Sequence, residues 1–239
     1  MGLLGTERCD DPPQIVKGCR AEQYIKGMVM TFGEDDFQSI CELLSRRDAG
    51  LRGIIGDHGY PPFWTRKEGF STLILTILEQ QVSLASAYAA FERLRKKIGA
   101  VTAKKILGMS DEDLRDCSFS RQKILYSREL ATAVSSGRLD LKRMSGDTDE
   151  EVRGQLTKIK GIGDWTADVY LMHALHRADL FPLGDIALVS SLRETKGLGP
   201  EAGRQEMLAI AEPWRPYRSV AAMILWHAYI SRRGITIEL

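Results

Sequence analysis

The stretch Leu156-Thr157-Lys158-Ile159-Lys160-Gly161-Ile162-Gly163-Asp164-Trp165-Thr166-Ala167, followed about twenty residues later by Phe181-Pro182-Leu183-Gly184-Asp185, decides the fold. Upstream, Thr148 and Glu151 are spaced as a capping box, and Val152, Leu156 and Ile159 share one helical face, so a helix runs to about Lys158. Downstream, Val169, Met172 and Leu175 form the next stripe, with Asp164 placed as its N-cap. Two helices are therefore joined by a turn that only glycine-rich backbone can make. Such a turn has two readings. Gly161 and Gly163 either allow a sharp interhelical bend and nothing more, or they present backbone N–H groups at a helix N-terminus as a phosphate cradle. Arg153, Lys158 and Lys160 would add charge to that cradle without reading bases.

Outward from the turn the spacing stays helical. Phe70, Leu73, Ile74, Ile77 and Leu78 form one stripe, and Tyr88, Phe91, Leu94 and Ile98, closed by Gly99, form another. Short and longer helices are expected at Asp111 to Asp116 and Arg121 to Ser135, and further ones at Leu188 to Thr195, Glu201 to Ala211 and Pro216 to Ser231. The fold class is all-α. Gly59-Tyr60-Pro61-Pro62 marks a boundary between residues 1–60, a partly helical N-terminal extension with room for a strand or two, and a core over 61–239.

The 239 residues, 44% of them hydrophobic and 27% charged, exclude disorder and supply a sizeable core. A net charge of +1 points neither to nucleic acid nor to membrane, so an anionic partner must be met locally. Residues 1–60 carry 7 Lys/Arg against 10 Asp/Glu and residues 91–143 carry 13 against 7, which places an anion-binding face beyond the N-terminal region. Cys9, Cys19, Cys41 and Cys117 lack metal or redox spacing and read as reduced thiols. His58, His173, His176 and His227 show no zinc spacing. The apolar run Leu73 to Leu78 is too short for a membrane span, and the N-terminus lacks the core of a signal peptide. Met1 to Thr6 fits the loose myristoylation pattern, which is common by chance. An intracellular protein is expected, nuclear in a eukaryote and cytoplasmic in a prokaryote.

The hairpin, the Gly/Pro-rich loop ending in Asp185, Glu79-Gln80-Gln81-Val82-Ser83, and Trp214 to Ala222 with Leu225-Trp226 together resemble the helix-hairpin-helix DNA glycosylase superfamily. Within it the chain is similar to the 3-methyladenine DNA glycosylase II group, over roughly residues 60 to 232. The resemblance implies two helical subdomains with the active-site cleft between them. It also implies hydrolytic removal of flipped-out alkylated bases, of the 3-methyladenine and 7-methylguanine type, from damaged double-stranded DNA in base excision repair.

On that resemblance Asp185 is catalytic, an ionised carboxylate facing the sugar; as a bare feature it reads as a helix cap. Trp165 and Trp226 line the base pocket, where electron-rich rings attract a cationic base; Trp226 alone reads equally as core. Phe63 and Trp64 add a pocket wall or serve as a hydrophobic staple. Gln81 fills the hole left by the extruded base, whereas Gln80-Gln81 read without the resemblance form a solvated turn. DNA contacts are expected from Gln80, Gln81, Ser83, Arg121, Lys123, Lys158, Lys160, Gly161, Ile162, Gly163 and Thr166, with Arg121 and Lys123 also readable as plain surface charges. The carbonyls of Ile159 and Gly161 are candidates to hold a monovalent cation, Na+ or K+; no cofactor is required.

Trp165 stands where lyase-competent relatives carry a lysine, so the enzyme is expected to stop at the abasic site. No cysteine follows Cys117, which removes the iron–sulfur cluster of some relatives, and Val169 replaces a pocket tyrosine found in others. Arg218 supports the site without reacting, and the chain is expected to act as a monomer. Competing readings are a glycosylase for uracil or hypoxanthine, a non-catalytic damage-recognition protein, and an unrelated helical metabolic enzyme.

Overall fold

The computed structural model describes residues 29–235. Within them twelve α-helices follow one another: α1 (Glu34–Arg47), α2 (Ala49–His58), α3 (Phe70–Glu79), α4 (Leu84–Ile98), α5 (Ala103–Gly108), α6 (Asp111–Asp116), α7 (Arg121–Ser135), α8 (Asp149–Leu156), α9 (Asp164–His173), α10 (Ile186–Lys196), α11 (Arg204–Ala211) and α12 (Arg218–Arg232). Cys9, Cys19 and the Met1 to Thr6 pattern lie outside the described residues. No described helix is long and apolar enough to cross a membrane.

Local chemistry sets most of the boundaries. Ser83, Thr102, Ser110, Ser120 and Thr148 each turn a side-chain oxygen onto an orphan N–H of the helix that follows. The capping box of Thr148 and Glu151 forms as the spacing predicts. At α9 the cap moves one residue: Gly163 is the N-cap and makes no side-chain bond, while Asp164 is the first helical residue. The first-turn amides of α9 are consequently left without a protein cap.

The helices sort into two groups. In one, α3 packs on α4, α7 and α9, with α5 and α6 on α7 and α8 on α9; in the other, α1 and α2 pack on α12, and α12 on α10. Phe37, Ile40, Cys41, Leu44, Leu51 and Ile54 bury themselves in the second group, so α1 and α2 complete the C-terminal helices instead of extending from the core. Among the described residues β-pairing is confined to an isolated bridge between Thr31 and Arg177. Cys41 and Cys117 are free and buried, and burial pushes the Cys41 thiol up to about 12, which disfavours its thiolate.

Candidate active site

Asp185 sits where the loop Leu180 to Gly184 enters α10, and there it caps the helix. As N-cap its Oδ1 accepts from the Leu188 amide at 2.8 Å. Trp226 Nε1 donates to the same oxygen at 3.0 Å, and Trp165 Nε1 donates to Oδ2 at 2.8 Å. Three N–H groups thus converge on one carboxyl group, two of them on Oδ1 and one on Oδ2. An open depression of about 440 Å³, lined by Leu183, Gly184, Asp185, Ile186, Val189 and Ser190 among others, adjoins the acid. Ile186 stands at its edge 84% exposed.

The loop that delivers Asp185 is anchored from α12. Arg218 Nε donates to Asp179 Oδ1 at 2.7 Å and its terminal nitrogen donates to Oδ2 and to the Asp179 carbonyl at 3.0 Å; Arg215 adds a bond of 2.8 Å. Arg218 thus holds Asp179, the residue just before the loop that leads to Asp185. Trp226 is fixed from its other face. His173 stacks on it with ring centroids 5.3 Å apart at 26°, and His173 Nδ1 lies 3.0 Å from the Trp64 carbonyl. A carbonyl only accepts, so Nδ1 carries the proton. Burial, aided by the nearby Arg66 charge, pushes His173 down to about 3, so the ring behind Trp226 is neutral.

The hairpin leads into α9, whose second residue, Trp165, bonds this carboxyl group. Gly161 has φ +95, and an added Cβ would lie 2.0 Å from Cγ of Tyr126 on α7, so both the backbone angle and the packing demand glycine. Arg153 of α8 pairs with Asp168 of α9 and locks the two arms together, while burial raises the Asp168 pKa against the pull of Arg153. Lys158, Lys160 and Gly163 are exposed beside the uncapped first turn of α9. The helix N-terminus adds a partial positive charge to that of the two exposed lysines.

Several expected DNA contacts point inward instead. Thr166 is 1% exposed, and its hydroxyl accepts from Gln80 at 3.0 Å. Gln80 itself is committed, since the same nitrogen donates to the Gly161 carbonyl at 2.8 Å. Ile162 is buried and its amide donates to Ile159. Lys123 is half-buried with Nζ on the Leu78 carbonyl at 2.5 Å, and burial lowers its pKa. Phe63 packs its ring on Phe32, Phe37 and His176, and the Trp64 ring lies by His227. Trp64 serves the site through its carbonyl. Gln81, Ser83 and Arg121 remain exposed, Ser83 with its hydroxyl capping α4 and Gln81 with φ +58, an uncommon angle for a side-chain-bearing residue.

Residues without any telling sequence pattern do much of the positioning. Arg66 donates twice to Glu79, at 2.6 and 2.8 Å, and its amide donates to the His173 carbonyl. Tyr126 fills the space that Gly161 leaves. None of them has a spacing that announces a partner far along the chain.

Two helix groups, a glycine hairpin that opens a helix with no side-chain cap, and a carboxyl group held by two indoles make up the site. The model of the HhH-GPD superfamily of base excision DNA repair proteins matches residues 74–216. The chain belongs to that superfamily. DNA-3-methyladenine glycosylase 1 of Schizosaccharomyces pombe is 28% identical over 211 residues, 82% of this chain and 92% of that protein. The solved structure of the S. pombe 3-methyladenine DNA glycosylase in complex with abasic DNA superposes with a TM-score of 0.74 at 27% identity, covering 84% of this chain and 100% of that one. A DNA-3-methyladenine glycosidase from Bacillus halodurans gives 0.66 at 30% identity, over 87% and 94%.

Proposed function

We propose that the protein is a monofunctional DNA glycosylase that excises alkylated bases from duplex DNA. The observation that carries this reading is the Asp185 carboxylate, bonded to the indole of Trp165 in the first turn of the helix after the hairpin and to that of Trp226 on α12. With a nucleotide flipped toward Asp185, the C1′–N bond breaks and its electron pair leaves on the base. A base that began cationic departs neutral. The carboxylate stabilises the positive charge on the sugar, and water adds to C1′ and gives up a proton to it. The faces of Trp165 and Trp226 favour a cationic 3-methyladenine or 7-methylguanine over a neutral base.

Trp165 brings no amine to the sugar, and its one N–H is used on Asp185, which supports hydrolysis without strand cleavage. Hairpin amides and Lys158, Lys160 and Arg121 take the phosphates, and Gln81 takes the place of the extruded base. The carbonyls of Ile159 and Gly161 each accept one hydrogen bond, from Ile162 and Gln80, and each keeps a lone pair. They fit a Na+ or K+ that would neutralise an adjacent phosphate. A single copy lies along one face of the duplex, so the monomer is the acting unit.

The test is base release from methylated duplex by the wild type and Asp185→Asn, with and without alkali, beside a uracil-containing duplex. We expect methylated bases to be released, strand breaks to need alkali, and the variant to lose at least about 100-fold in rate, since its NH2 is set against an indole N–H. Breaks without alkali overturn the monofunctional reading. Equal rates for the two proteins overturn the role of Asp185.

A further inference from the structure

Three consecutive residues at the end of α3 are each held in a different way, and the fourth is exposed. The Leu78 carbonyl accepts from Lys123 of α7 at 2.5 Å, and Glu79 is gripped twice by Arg66 from the segment before α3. Gln80 gives its side-chain amide to the hairpin carbonyl of Gly161 at 2.8 Å and to Thr166 Oγ1 of α9 at 3.0 Å. Gln81, one peptide further, is exposed with φ +58. Everything up to the wedge is tied down, and the last tie goes to the element that faces the phosphates.

We propose that Gln80 is a positioning residue that couples insertion of Gln81 to the grip of the hairpin on the backbone; this rests on the wedge role given to Gln81 above. Extruding a base costs stacking and pairing energy, which is returned only if the hole is filled while the displaced strand is held. Gln80 and Gln81 are adjacent, with Cα atoms about 3.8 Å apart, so the Gln80 bonds set the separation of wedge and cradle. The hairpin does not yield to them, because the Tyr126 ring occupies the space at Gly161 where a Cβ would sit. Thr166 neighbours Trp165, so the same amide also refers the wedge to a residue on Asp185.

A coupling of this kind matters in proportion to the cost of extrusion, which distinguishes it from a general structural role. Gln80→Met keeps the length of the side chain and removes both donors. Its single-turnover excision of 7-methylguanine is compared with wild type in two duplexes, one with cytosine opposite the lesion and one with an abasic-site analogue opposite, where extrusion is cheap. We expect the loss opposite cytosine to exceed the loss opposite the analogue by about tenfold. Equal losses in the two duplexes, or no loss in either, overturn the proposal. If the variant melts below the assay temperature, Gln80→Asn, whose amide is one methylene short, replaces it in both duplexes: a tenfold excess opposite cytosine again supports the coupling, and equal losses or none again overturn it. Wild type and Asp185→Asn are run alongside. A wild type inactive on 7-methylguanine sinks the glycosylase reading itself, whereas an active wild type with an even Gln80 loss sinks only the coupling.

Discussion

At Gly161 two unrelated demands fall on one missing side chain. Its φ of +95 disfavours any residue with a Cβ, and that Cβ would meet the Tyr126 ring at 2.0 Å. Gly163 has an ordinary extended φ of −100, and nothing lies within 4 Å of the place its Cβ would take. Gly161→Ala should therefore cost roughly 3 kcal/mol and lower the melting temperature by about 6–12 °C, with loss of duplex binding. Gly163→Ala should cost about 1 kcal/mol at most, as an N-cap change does. Thermal melts of the two variants check the contrast, and equal shifts would refute it. The sequence displays the two glycines as a symmetrical pair. What separates them is an aromatic ring on a helix distant along the chain, and no local pattern carries that information.

Helices that carry their own caps were the legible elements. Ser110, Ser120 and Thr148 announce α6, α7 and α8 because the partner of each cap lies three residues away. The six-residue α5 escaped although Thr102 caps it, because, unlike the equally short α6 with its acidic first turn and reciprocal capping box, it has nothing beyond that single hydroxyl to mark its start. The pair of Arg66 and Glu79 escaped for a different reason. It joins the segment before α3 to the end of α3 as a buried bidentate contact, with side chains 17% and 3% exposed. Removing one partner strands the other charge in the interior. Glu79→Gln should cost about 3–5 kcal/mol, against about 1 kcal/mol for Thr148→Ala at the cap of α8. Urea denaturation of both variants measures the difference, and a cost for Glu79→Gln no larger than that of the cap would show that Arg66 finds another partner.

At the scale of the whole molecule the all-helical class followed from the stripes, while the closure of the C-terminal group by α1 and α2 did not, because amphipathic spacing tells which face is buried and not against what. The joint between the two helix groups is equally silent in sequence, and it contains a titratable group. His173, at the end of α9, bonds the Trp64 carbonyl and stacks on Trp226 of α12. Burial holds it neutral down to about 3, against 6.5 for an ordinary histidine. Between those values the unfolded chain binds a proton that the folded chain refuses, so stability rises with pH through the window and falls as acid is added, by up to about 1.4 kcal/mol per unit. His173→Phe keeps a ring against Trp226 and removes the proton site. It should be less stable than wild type at pH 7.5 by about 1–3 kcal/mol, because the Trp64 carbonyl loses its donor. Its urea midpoint should fall less steeply than that of wild type between pH 6.5 and 4.5, since the carboxylates titrate in both proteins and cancel in the comparison. Parallel acid limbs would mean that the joint opens enough to protonate His173 in place, and that the neutral ring behind Trp226 is not what holds the two groups together in acid.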